Sequence, residues 1–562
     1  MLAFASIISI SCDTEPPADQ SYQPVIPTAV VPPEVREPSP PSAPSSTGTA
    51  AVEPDPRPPW TGPFLGITRS STGIYAAPSF AREKKIGYAQ EGAKVPILPE
   101  KVSTADCSDG WYQLVDGGYV CGNHGTKDLS DPRVKLGPSQ PNLAEILPYR
   151  YARNVKNGTP LYKSVPSKEQ LERYEPHLFA SEATKPVVSG ATSSTPPADP
   201  ATLRAQEDQE RRMAALRAAR RAMLGEAAAE DQPTGASEPV TDPARAAVEE
   251  PAEPPPDKRW WEEEEPELHK LSITDLGADS DDVLASRMVK GFYIAVDKVF
   301  DWNKRRWFRS TRGFVAPADA FHFATGSDFK GVELGGEVQL PVGFVYGPKD
   351  RSQYSFDDGK TLKTAGTAKR FSMLPLTGEE MEHGGKVYVK TRAGNWLRKS
   401  DLRIALAAPP PEGLGADEVW IDVNLSTQTL VASRGDTPFF ATLVSTGKHS
   451  KDPEKDHSTP TGSWRIREKH ITATMDGDGT AAGDLPYSIE GVPYVMYFHK
   501  AYALHGAFWH QNYGVQMSHG CVNLAPLDAK YLFLNTGPEV TEGLHGGWAT
   551  EDRPGALVVV HE

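Results

Sequence analysis

Two short runs in the last tenth of this 562-residue chain gather side chains able to do covalent chemistry: His505-Gly506-Ala507-Phe508-Trp509-His510 and Ser518-His519-Gly520-Cys521-Val522-Asn523. A cysteine with imidazoles close by is a thiol nucleophile with its general base at hand. A free thiol titrates near about 8.5, so an imidazole or backbone donors are needed to favour the thiolate at neutral pH. His499, His505, His510, His519 and Cys521 are all zinc-ligand types, but their spacing follows no zinc motif, and neither a metal nor another cofactor is expected. The run Asp476-Gly477-Asp478-Gly479 lacks the glycine at position six and the closing glutamate of a calcium loop, and reads as a surface turn.

The elements that must hold these residues are strands. From Glu418 the period is two, with Val419, Ile421, Val423 and Leu425 alternating with Trp420, Asp422 and Asn424. Ser426-Thr427-Gln428 then turns the chain into Thr429-Leu430-Val431-Ala432, a hairpin, and Phe439 to Val444 forms a further strand. Thr459-Pro460-Thr461-Gly462-Ser463 is a turn leading into Trp464-Arg465-Ile466, and Val495-Met496-Tyr497-Phe498 precedes the first histidine run. A helix is expected only after the cysteine, from Pro526 to Asn535, with proline in its first turn and Gly537-Pro538 beyond its end. Ala556 to Val560 is a closing strand.

These residues resemble an L,D-transpeptidase catalytic domain of the YkuD type. The likeness rests on His505-Gly506, on the block Ser518 to Asn523, and on the stretches Val423–Leu430, Leu443–Lys448, Thr459–Ile466 and Tyr494–Tyr497. It implies Cys521 as nucleophile and His505 as general base, with the carbonyl of Gly506 fixing the imidazole tautomer. His519 would shape the oxyanion environment with the backbone amides of Gly520 and Cys521, while Ser518 and Asn523 brace the loop. Trp509, His510, Tyr513 and Tyr497 are candidates for lining the donor site. The implied reaction is acyl transfer: Cys521 attacks the third residue of a peptidoglycan stem tetrapeptide, D-Ala leaves, and a diaminopimelate amine resolves the thioester into a 3-3 cross-link. Water as acceptor would make the protein an L,D-carboxypeptidase, and an outer-membrane lipoprotein amine is a third acceptor.

The remainder reads as anchor, spacer and accessory domains. A chain of this length exceeds one hydrophobic core. With 38% hydrophobic residues but 11 Trp, 19 Tyr and 19 Phe, it suits compact aromatic modules separated by polar spacers. A net charge of -15 with no long basic stripe argues against nucleic acid as a partner. Of the four cysteines, Cys107 and Cys121 are candidates for a local disulfide, leaving Cys12 and Cys521 unpaired. Met1 to Ser11 are apolar or small and end at Cys12, resembling a bacterial lipoprotein signal over 1–12. No Lys or Arg precedes that run, which fits a true start further upstream. Lipidation at Cys12 would be the only membrane attachment, and an exported, periplasmic or envelope location is expected.

Residues 13–62, rich in Pro and Ser, are expected to be a disordered tether. Over 63–135, short strands with Trp111-Tyr112, a Gly117-Gly118 turn and Tyr119-Val120 resemble a bacterial SH3-like module. The phrase recurs around Trp307-Phe308 with Gly313 and around Tyr388-Val389 with Gly394. A second SH3-like module is therefore expected over 145–321, interrupted over 185–257 by a disordered insertion carrying an Ala, Arg and Glu helix. A β-rich region over 322–406 would hold a third, and 416–562 the catalytic domain. The expected fold is mainly β and multidomain, with small SH3-like β-barrels ahead of a β-rich catalytic domain that has one short helix after the cysteine. If the modules supply the function, the chain is a cell-wall-binding or scaffold protein whose catalytic domain is inactive or only hydrolytic.

Overall fold

Alternating apolar and polar residues dominate the computed structural model, which describes residues 60–179, 271–273, 276–277, 282–357, 361–477 and 486–562. Cys12 with its signal, the tether up to residue 59, the insertion over 185–257, and Asp478-Gly479 lie outside the described residues.

Seven strands recur three times under one pairing scheme. The first set is Phe64–Ile67, Thr72–Tyr75, Lys85–Ala89, Lys94–Ser103, Trp111–Leu114, Tyr119–Cys121 and Gly125–Thr126. Its first strand pairs with the fourth and seventh, its second with the third and sixth, and its fifth with the fourth and sixth, all antiparallel. The same scheme joins Arg150–Asn154, Thr159–Tyr162, Leu284–Met288, Tyr293–Trp302, Arg305–Ser310, Val315–Pro317 and Phe321–Ala324. It joins Val342–Val345, Arg351–Asp357, Thr361–Ala368, Met373–His383, Lys386–Thr391, Trp396–Arg398 and Leu402–Ala405 a third time. In the middle set the long interruption falls between the second and third strands, at a connection rather than inside an element.

The recurrence has a local cause. A buried aromatic on the fifth strand, Trp111, Trp307 or Tyr388, stands six positions before a glycine at positive φ, Gly117, Gly313 or Gly394, which turns the chain into the sixth strand. A single 3-10 turn follows each time, at Gly122–His124, Ala318–Ala320 and Lys399–Asp401. In the first set a disulfide joins Cys107 to Cys121 across the base of this hairpin, with Trp111 packed against both. The expected boundary at 321/322 moves: Phe321–Ala324 pairs with Arg150–Asn154 and closes the second module. Val332–Glu333 belongs to neither module, because it pairs with Phe440 and Ala441 at the edge of the C-terminal sheet.

The C-terminal region stacks two sheets over one core. One sheet runs Val332–Glu333, Thr437–Leu443, Thr429–Arg434, Val419–Asn424, Leu557–His561, Gly462–Arg465. The other contains Glu468–Gly477, Tyr487–His499, Tyr502–Gly506 and Val522–Leu524, with Gly546–Trp548 pairing between Glu468–Gly477 and the first module's Lys85–Ala89. Ile421, Val423 and Leu430 from the first meet Met496, Leu504 and Val522 from the second, and helix Pro526–Asn535 adds Ala529, Leu532 and Phe533. This helix spans the residues expected for it. The buried Lys469 amino group, pulled down to about 7 by burial, donates to the carbonyls of Phe533 (2.5 Å) and Thr536 (2.6 Å), closing the helix's C-terminal end. Among the described residues no helix is long and apolar enough to cross a membrane.

At the other end of that helix Asp528 is fully buried. It accepts from the Gly331 amide (2.7 Å) and from the Thr442 hydroxyl, so it ties the 325–341 connection to both helix and sheet. Burial pushes its carboxyl up to about 7, against the pull of those two donors. A carboxyl raised on folding stabilises the native state below its unfolded value, and that stability is lost as pH rises through the folded one. Thermal stability should therefore fall between about pH 4 and 7, and Asp528→Asn should flatten that slope when melting is followed across the range.

Candidate active site

Register places the chemical groups. Tyr502–Gly506 pairs in parallel with Val522–Leu524, setting Leu504 opposite Val522, His505 opposite Asn523 and Gly506 opposite Leu524. Because side chains alternate with period two, Leu504, Val522 and Leu524 face the core while Ala503, His505, Cys521 and Asn523 share the other face. Cys521 thus stands level with Ala503, one side-chain position along from His505.

Tyr487, Tyr497 and Trp509 crowd this face beside Cys521. The cysteine is only half-exposed, and its Sγ lies 3.8 Å from the Ala501 carbonyl. Burial pushes the thiol up to about 11, since a thiolate here would lose its hydration. Burial, with the sulfur's charge adding to it, likewise raises the Tyr487 and Tyr497 hydroxyls to about 12. His505 is fully buried, with Trp509 stacked on its ring at 5.7 Å. Its Nδ1 donates to the Gly506 carbonyl (3.3 Å), which leaves the Nε2 lone pair as the basic site. Burial pulls this imidazole down to about 4, and His510 to about 4 as well. The resting pair is therefore neutral thiol and neutral imidazole.

A web of short contacts shapes the loop before the cysteine. Ser518 Oγ donates to the Cys521 carbonyl (2.5 Å) and accepts from the Gly520 amide (3.1 Å). Thr459 Oγ1 donates to the Gly520 carbonyl (2.7 Å) and accepts from the Gly447 amide (2.9 Å). The Thr446 carbonyl accepts from the Met517 and Ser518 amides, and Thr446 is itself held by the buried Gln428 side chain (2.6 and 3.0 Å). Gly520 has φ of 119°, and a Cβ there would lie 2.4 Å from the Tyr502 ring, so no other residue fits.

Residues 418–560 match the sequence profile of the YkuD family, the L,D-transpeptidase catalytic domain. This segment is a YkuD-type L,D-transpeptidase catalytic domain with Cys521 in its catalytic region, consistent with cysteine acyltransferase activity. Among solved structures, the E. faecium L,D-transpeptidase catalytic domain is 24% identical over 26% of this chain and 98% of its own, with a TM-score of 0.19. An L,D-transpeptidase from Stackebrandtia nassauensis is 25% identical over 26% of this chain and 57% of its own, TM-score 0.18. One from Mycobacterium smegmatis is 16% identical over 33% and 77%, TM-score 0.20. A search of curated proteins found no match.

Within the transpeptidase domain the expected residues fall into distinct places. Cys521, His505 and Asn523 share one face, and Trp509 and Tyr497 wall it. His510 lies with Nε2 2.9 Å from the Asn523 side-chain amide. His519 is exposed, its ring 5.2 Å from Tyr487 and 4.6 Å from His457. The Gly520 amide, expected to face an oxyanion, is bonded to Ser518 Oγ in this state. Tyr513 does not line a donor site: it is 1% exposed, packed on Phe329, with its hydroxyl donated to the Ala507 carbonyl (2.8 Å). Its position between two motifs marks it in the sequence, but the aromatic partner that buries it comes from the distant 325–341 connection. Sequence reading saw Gln428 and Thr459 only as parts of turns and Thr446 only within a supporting stretch, because polar residues there carry no local sign of what they hold, and it missed Tyr487, whose place beside the cysteine is set by strand packing. Among the described residues no group of three or more His, Cys, Asp or Glu side chains could hold a metal ion.

Two outcomes follow from this geometry. Alkylation at Cys521 by iodoacetamide, resolved from Cys12 by peptide mass spectrometry, should have a pH midpoint of about 11; an ordinary midpoint would mean an unperturbed thiol, and one below neutral a preformed thiolate. Gly520→Ala should displace the loop and slow thioester formation by roughly 100-fold, as a misplacement of about 1 Å does, while leaving the accessory modules folded by circular dichroism.

Proposed function

We propose that this chain forms 3-3 peptidoglycan cross-links, with Cys521 as nucleophile and His505 as general base. The observation that carries the reading is the common face shared by Cys521 and His505 on adjacent parallel strands, with the imidazole tautomer fixed by Gly506. His505 Nε2 takes the thiol proton as Sγ attacks the carbonyl of the third stem residue. The amide bond to the terminal D-Ala breaks, the leaving amine takes that proton back, and a thioester remains. A diaminopimelate amine then attacks the thioester and yields its proton to His505. The new amide forms as the sulfur departs and is reprotonated. Starting from neutral groups suits this cycle, because a neutral imidazole at pH 7 is already in its basic form and the proton moves only when substrate excludes water. Ser518 and Thr459 set the loop whose amides would meet the oxyanion.

The threefold pairing scheme supports reading the upstream modules as SH3-like, with the wall polymer as their ligand. The Cys107–Cys121 disulfide supports an oxidising, extracytoplasmic setting. Incubating the purified chain with disaccharide-tetrapeptides should give D-Ala release and cross-linked dimers by mass spectrometry. Cys521→Ala should give neither, and an acyl-enzyme retained in that variant would remove Cys521 as the nucleophile. D-Ala release without dimers would assign water as the acceptor.

A further inference from the structure

Cys521 packs against one hydrophobic cluster together with residues from two segments of the catalytic domain, and both segments reach the second module. The strand Tyr487–His499 carries Tyr487 and Tyr497, while the strap from Ala507 to Met517 carries Trp509 and His510. Tyr151, on the first strand of the second module, is fully buried between them. Its hydroxyl donates to the Gly491 carbonyl of that strand (2.5 Å), and its ring stacks on Phe508 of the strap at 4.0 Å. Phe508 meets Trp509 edge-on at 5.2 Å, and Trp509 stacks on His505.

Neighbours reinforce the contact. Tyr293 pairs with Ile489 and packs edge-on against Phe508 at 5.4 Å. Glu490, buried on the catalytic strand, accepts from the Thr311 hydroxyl (2.7 Å) and the Arg312 amide (3.0 Å). Gly491 has φ of 69° and comes so near the module that a Cβ there would lie 3.0 Å from the Ala295 methyl. Further along the strap, the third module's Arg403 donates to the Gly514 carbonyl (2.7 Å) and Arg370 to the Gln511 carbonyl.

We infer that Tyr151 is a positioning residue of the catalytic site, fixing one wall of the Cys521 pocket through its hydroxyl and the other through its ring. The site is then a composite of the transpeptidase domain and the second module. A residue outside 418–560 sets how the thiol is covered and how the His505 ring is backed. Ordinary interface packing would also bury Tyr151, but it would not couple the residue to the chemistry of a sulfur on another module.

The inference rests on the transpeptidase reading only for its acylation arm. In the full chain, Tyr151→Leu removes hydroxyl and stacking, and Tyr151→Phe removes the hydroxyl alone. Peptide-resolved alkylation of Cys521 against pH should speed up in both, with the midpoint moving down from about 11 toward that of an exposed thiol. Thioester formation with a tetrapeptide donor should slow by roughly two- to thirtyfold in Tyr151→Leu, the range of a coupling passed through packed side chains, and by less in Tyr151→Phe. Wild-type alkylation and acylation in both variants, measured below their unfolding temperatures, would overturn the inference whatever the change in melting temperature. Should Tyr151→Leu fail to fold, Tyr151→Phe and Phe508→Leu carry the same comparison. If the wild type forms no thioester, the proposed function fails while the alkylation arm still decides the role of Tyr151.

Discussion

The parallel register between Tyr502–Gly506 and Val522–Leu524 is the constraint on which the site depends. A slip of one residue would turn Cys521 into the core and bring Val522 out beside the tyrosines, since every side chain changes face with a one-residue shift. Two things hold the register. Leu504, Val522 and Leu524 are fully buried in the core against the first sheet and the helix, so a slip would expose them. On the open side Asn523 exchanges both backbone hydrogen bonds with Ser445, fastening the short strand to the segment that follows Thr437–Leu443.

Burial at this site works against charge at Cys521, His505, His510, Tyr487 and Tyr497. The thiol is raised, the His505 and His510 imidazoles are lowered and the Tyr487 and Tyr497 hydroxyls are held protonated, all with desolvation as the largest cause. At the thiol the backbone hydrogen bond from Ala503 favours the thiolate but is outweighed by desolvation. In the proposed mechanism, neutral partners would let the proton move late, when a bound carbonyl has displaced water and its developing oxyanion has donors to meet. The Ser518 hydroxyl, which now accepts from the Gly520 amide, shows that part of the loop's donor capacity is spent on its own shape.

The accessory modules are joined to the catalytic domain by backbone pairing as well as by side chains. Lys85–Ala89 pairs with Gly546–Trp548, and Tyr293 with Ile489, so the sheet carrying the site continues into the first two modules. Tyr88 adds a hydrogen bond to His470 Nδ1 (3.1 Å). The third module reaches the strap through two arginines and through Phe371, which packs on Tyr513. Repeated units of one topology therefore meet the same domain through different surfaces, which separates their contribution to shape from any contribution to ligand binding.

The sequence by itself determined the nucleophile block, the alternation of the C-terminal strands, the helix from Pro526 to Asn535 and the thrice-used phrase of aromatic, glycine turn and strand, because each is written in residues close along the chain. It misplaced Tyr513 and the boundary at 321/322, and it gave Val332–Glu333 no partner. Those depend on contacts between segments roughly a hundred or more residues apart. Only the tertiary structure decided that Thr459 and Gln428 hold the cysteine loop, that two tyrosines cover the thiol, and that Tyr151 from an upstream module touches both walls of its pocket. The physical reason is that local patterning specifies which face of an element is buried, while packing chooses which distant element buries it.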